Sequence, residues 1–143
     1  MGEDAFGQEA KAYEAFARLV AEIPLERRED PVLRDGWSVK DVLWHVVTWW
    51  RDGVTSFLEM HAGTYEEAET TDEQTDRENA RALQESQAMS LADVEGAITG
   101  ARTALLEAFA PVATDPEAVE LFVSETIDHY EEHLPDLRGF AGG

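Results

Sequence analysis

The segment DHYEEHLPDL, residues 128–137, sets His129 and His133 four positions apart in a chain with only four histidines. On a helix, positions i and i+4 project from one face a turn apart, so two imidazoles so spaced can reach one metal ion. Zinc proteases use this spacing in HExxH, with a glutamate directly after the first histidine. Tyr130 holds that place here, so this is not that motif. Two histidines alone hold a divalent cation weakly. His45, in LWHVVTWW, stands in the most apolar stretch of the chain, where an unpaired polar ring is costly. It is the natural third ligand. Two histidines from one helix and one from another leave positions open for water or substrate, as in a catalytic metal site. Zinc, nickel and ferrous iron all suit such ligands. The plain alternatives are a chance pair on an acidic surface helix, beside Glu131, Glu132 and Asp136, and a core histidine at 45. His61, before Gly63 at a helix end, reads as a surface residue. Of the aromatic residues near these histidines, Trp44, Trp50 and Tyr130 read as core, and Trp49, one turn from His45, as a substrate contact.

Four helical stretches must carry these residues. The first runs from about Phe6 to Ile23, with Phe6, Ala10, Tyr13, Phe16, Val20 and Ile23 at helical spacing, and Pro24 closes it. An exposed connection then ends in a turn at Asp35-Gly36. The second starts at Ser38, boxed with Asp41 and stapled by Trp37, and extends to about Met60. Its apolar face is broad enough to be buried on more than one side. The acidic stretch HAGTYEEAETTDEQ reads as a solvated crossover loop. The third helix runs from about Thr75, boxed with Glu78, to Phe109, with a bend or brief break at Ser90. Asp115-Pro116 starts the last, which Pro135 ends, leaving DLRGFAGG as a short tail. The architecture expected is an all-α four-helix bundle with one long crossover loop, a single domain over residues 1–143.

Composition bounds the function. At 143 residues with 43% hydrophobic content, the chain has enough apolar material for a core without staples. It has no cysteine, which excludes disulfides, thiolate ligands and a cysteine nucleophile. Thirty-one acidic residues against 11 basic ones give a net charge of -20, which disfavours nucleic acid and anionic membranes as partners. No apolar run approaches the ~20 residues of a membrane span, and the first residues lack the pattern of a signal peptide. The expectation is a cytoplasmic protein, monomer or homodimer, that binds a small molecule.

GWSVKDVLWHVVTWW resembles the second-helix signature of the DinB-like (YfiT-like) superfamily, and DHYEEHLPDL resembles its fourth-helix histidine pair. DRENARALQESQAMSLADVEGAITGARTALLEAF is similar to the third helix of the branch holding the colibactin self-resistance cyclopropane hydrolases and the mycothiol-dependent maleylpyruvate isomerases. Together these segments cover most of the chain. The resemblance implies a four-helix bundle with a metal at one end, held by His45, His129 and His133. It also implies thiol-transfer chemistry with a low-molecular-weight thiol such as mycothiol, and it points to Asn79 as a substrate contact. The isomerase pattern has a glutamate four residues before its last histidine, so His45, Glu125 and His129 form a second possible ligand set. Some relatives in the self-resistance branch work without a firmly bound metal.

The leading expectation is a divalent-metal-dependent hydrolase or thiol S-transferase acting on a small electrophilic compound, in detoxification. The alternatives are a metal-free binding or self-resistance hydrolase of the same fold and a non-catalytic dimeric interaction domain.

Overall fold

Caps and apolar periodicity decide where each helix begins. The structure, a computed structural model, describes residues 4–33, 36–67 and 70–142. Asp4 caps α1 (Ala5–Glu22), and the 3-10 turn Leu25–Arg27 follows it. Ser38 caps α2 (Val39–Ala62) in a reciprocal box: its hydroxyl accepts from the Asp41 N–H at 3.1 Å and the Asp41 carboxylate accepts from the Ser38 N–H at 2.9 Å. Gly63 ends α2 in the left-handed conformation, at φ 78°. After α3 (Asp72–Gln87), α4 (Leu91–Phe109) is capped by Ser90, and a 3-10 turn extends it to Val112. Asp115 caps α5 (Pro116–Val123), which runs through a π-helical turn, Ser124–Asp128, into α6 (His129–Gly142).

The arrangement is the expected all-α bundle: α1, α2, the α3–α4 pair and the α5–α6 rod are its four members. The α2 helix packs mainly on α4 and α3, and α1 packs on α6 and the π turn. Phe109 and Phe122 stack at 4.0 Å, with Phe6 and Phe57 tilted against both. Trp50, Phe16 and Tyr130 fill the middle of the core. Among the described residues, no helix is long and apolar enough to cross a membrane.

Two boundaries differ from the sequence expectation. The capping box of α3 is Thr71–Gln74, not Thr75–Glu78, so the helix starts a turn earlier and the crossover loop is shorter at both ends. Both pairs fit the capping pattern, and no apolar stripe there favours the later one. At Ser90 the third stretch takes the break of the two expected alternatives: α3 stops at Gln87 and α4 restarts on its own cap. Pro135 does not end the last helix, which continues to Gly142. A proline inside a helix costs about 3 kcal/mol. Burial of Leu137, fully enclosed, and of part of Phe140 offsets this at roughly 1.5–3 kcal/mol per fully buried side chain. Gly36 has φ 75°, as a turn there requires; Asp35, the other half of that turn, lies outside the described residues, as do Ala68 and Glu69 of the loop and Gly143 of the tail.

Candidate metal centre

The second turn of α2 carries His45, and the first turns of α6 carry His129 and His133. Contact between these two helices brings the three rings together. Their ring centroids lie 5.0 Å (His45–His129), 5.5 Å (His45–His133) and 4.8 Å (His129–His133) apart. One nitrogen from each lies within 4.8 Å of the others. All three residues are buried, at 6%, 2% and 8% exposure respectively. His129 Nε2 and His133 Nε2 face each other at 3.1 Å, so one of them must donate a proton or both must share a third atom.

Burial sets the charge of this cluster. It pushes His45 down to about 4, helped by the neighbouring charge His133 would carry. Burial pushes His129 lower still, and His133 and His45 add to the effect. The Glu125 carbonyl opposes this slightly, though no acceptor meets hydrogen-bond geometry at His129 Nδ1. His45 Nδ1 is likewise buried without a hydrogen-bond partner. An unsatisfied buried polar atom costs about 1–3 kcal/mol, which favours a ligand over an apolar filling. Imidazoles that converge on one point, two of them held neutral by burial and with polar atoms to spare, fit a divalent cation.

Two tryptophans wall the cluster. Trp49 stacks on His129 at 4.4 Å and 29° and meets His45 edge-on at 5.4 Å. Trp37, read from the sequence only as a helix staple, stands edge-on to His45 at 5.2 Å. A cleft of about 210 Å³ opens beside His45 and His133, lined also by Trp37, Val42, Glu132 and Asp136. Half-buried Asn79 lines it, and also lines a second cleft of about 260 Å³ that contains Trp49, Arg51 and Arg81. The structure therefore puts both Trp49 and Asn79 at the rim of the histidine cluster. A larger apolar groove, about 430 Å³ between α2 and α4, lies away from the histidines and offers no ligating group.

Glu125 is not part of the cluster, so the alternative set His45, Glu125 and His129 is not assembled. Its carboxyl, with one oxygen buried and unpartnered, is pushed up to about 7 by burial and by Asp52. His61 is exposed near the end of α2. The rim acids Glu132 and Asp136 were missed as site residues. Their four-residue spacing, each three positions after a histidine, was the available signal.

Residues 10–128 match the family model described as mycothiol maleylpyruvate isomerase N-terminal domain. The match spans His45, Trp49, Asn79 and Glu125 and stops one residue before His129. No curated protein and no solved structure matches the chain significantly.

Proposed function

Because the chain belongs to the mycothiol maleylpyruvate isomerase N-terminal domain family, a DinB/YfiT-like family, we propose that it is a divalent-metal-dependent enzyme that joins a low-molecular-weight thiol to a small electrophile. The observation that carries this reading is the convergence of His45, His129 and His133, three buried imidazoles with nitrogens within 4.8 Å. These three residues would hold the cation. When bound, a cation of this kind supplies Lewis acidity and lowers the pKa of a coordinated water or thiol. Zinc, nickel and ferrous iron suit the donor set equally.

The chain's own groups have separate tasks. Trp49 and Trp37 exclude water from the imidazoles and hold them in place by ring contact. Asn79 offers an amide donor and acceptor at the mouth of both clefts, suited to orienting a polar substrate group. Leu33 and Val42 give the cleft an apolar wall for the carbon skeleton of the electrophile. A chain without cysteine takes its sulfur from a second substrate, and the family's name points to mycothiol.

Elemental analysis of untagged protein beside His129→Ala tests the site. One divalent ion per chain in the wild type, lost in the variant, is expected. Wild-type protein that retains no ion after incubation with zinc, nickel and iron and then dialysis would overturn the metal reading. Metal-loaded protein that leaves mycothiol unconsumed in the presence of alkylating electrophiles would overturn the thiol reading alone.

A further inference from the structure

A buried polar network sits directly behind the histidine pair. Glu9 of α1 is 1% exposed, although its side chain ends in a polar carboxyl group. Arg102 of α4 grips it with two donors, Nε at 3.2 Å to one oxygen and Nη2 to the other, while its guanidinium lies 4.3 Å over the Tyr13 ring. The Tyr130 hydroxyl donates to the same carboxylate at 2.8 Å, across 121 positions of sequence. Tyr130 follows His129 directly and is fully buried. Its ring is stacked on Phe16 at 5.2 Å and 24° and meets Trp50 edge-on.

Stability alone gives little reason for this arrangement. An ion pair with one buried member and one half-buried member contributes little net stability compared with apolar packing of the same volume. A phenylalanine at 130 would fill the same aromatic slot. What the hydroxyl adds is direction, because hydrogen bonds have preferred angles and apolar contact has none. Direction matters at this point of the chain. The α6 helix emerges from a π-helical turn, where the regular bonding that carries one helical phase into the next is interrupted. Histidine nitrogens lie about 6 Å from their helix axis, and a metal site tolerates ligand errors of about 0.2 Å. A rotation of α6 by only about 2° uses up that tolerance.

We propose that Glu9 and Tyr130 are positioning residues, which set the rotation of α6 and so aim His129 and His133 at the point they share with His45. Arg102 holds the Glu9 carboxyl group with two donors and fixes it between α1 and α4, which makes it a stationary acceptor. The inference rests on the reading that the three histidines hold a cation.

The test is cobalt(II) titration, followed by visible absorption, of wild-type protein, Tyr130→Phe, Glu9→Gln and the core control Phe57→Leu. Tyr130→Phe removes one oxygen atom and leaves the aromatic slot filled, so it folds even if Glu9→Gln does not. A loss of tenfold or more in cobalt affinity is expected for Tyr130→Phe, the range found for groups that orient metal ligands. Phe57→Leu should lower the urea midpoint and leave cobalt affinity unchanged. Wild-type affinity in Tyr130→Phe, or an equal loss in Phe57→Leu, would overturn the proposal. If wild-type protein binds no cobalt, the metal reading fails by itself. Imidazole ¹⁵N spectra of the metal-free proteins then decide the positioning claim, through His129 and His133 signals that move in Tyr130→Phe or stay in place.

Discussion

At neutral pH the imidazoles of His45 and His129 carry no charge, and their burial has opposite consequences for stability and for ligand binding. The folded pKa of His45, about 4, lies below its ordinary value of 6.5, so the unfolded chain binds the extra proton between those limits. Metal-free protein therefore loses stability as pH falls from about 7 to 4, by up to roughly 3 kcal/mol from this residue. His45→Gln should flatten that part of the profile in urea titrations, and an unchanged slope would contradict the assignment. Glu125 works in the other direction. Its folded value, about 7, exceeds the ordinary 4.5, so its contribution is lost as pH rises through that window. Glu125→Gln should stabilise the protein at pH 8 by about 2 kcal/mol and do almost nothing at pH 5. A gain of equal size at both values would show that the carboxyl is already neutral, or already paired, at pH 8. At this scale the spacing of His129 and His133 and the apolar setting of His45 were readable in the sequence. The partner of Tyr130 was not, since nothing local relates residues 9 and 130.

Helix ends hold the site-bearing elements in register. Asp41 closes the cap of α2 and also accepts from the Ser86 hydroxyl of α3 at 2.7 Å, all of it buried. Ser38→Ala should cost about 1 kcal/mol in urea denaturation. Asp41→Ala should cost more, roughly 2–4 kcal/mol, because it leaves two buried donors unmatched. Equal losses would mean that the tie to α3 contributes nothing. The α2 helix was legible almost residue by residue, because box, staple and apolar face agree there. The start of α3 slipped by one turn, since Thr71–Gln74 and Thr75–Glu78 both satisfy the capping pattern. Pro135 misled because the local cost of a proline was visible in sequence, whereas the burial of Leu137 that offsets it depends on tertiary packing. The π turn left no trace in composition: SETID reads as ordinary helix, and only the bundle gives Trp50 a reason to donate to the Glu125 carbonyl at 3.2 Å.

Across the whole molecule, a net charge of -20 on 143 residues sets one global term. Self-repulsion among the acids opposes compactness, and it is screened as the Debye length falls from about 30 Å at 0.01 M salt to about 8 Å at 0.15 M. Thermal midpoints of metal-free protein should rise by several degrees over that range in sodium chloride. A flat response would mean that local ion pairs, such as Arg28–Glu95 and Lys40–Glu29, already neutralise the fields that matter. The same surface steers cations toward the molecule and slows the approach of anions. An anionic substrate should therefore be captured faster at high ionic strength, and a cationic one more slowly.

The contact of Trp49 with His129 makes the protein a reporter of its own state. Indole emission is sensitive to a charged ring or an open-shell ion a few ångströms away. Trp49 and Trp37 touch the histidine cluster, while Trp44 donates to Glu85 and Trp50 to the Glu125 carbonyl. Protonation of the imidazoles or arrival of nickel should dim the first pair far more than the second. Occupancy of the cluster can thus be followed in a fluorimeter without a label and without knowledge of the substrate.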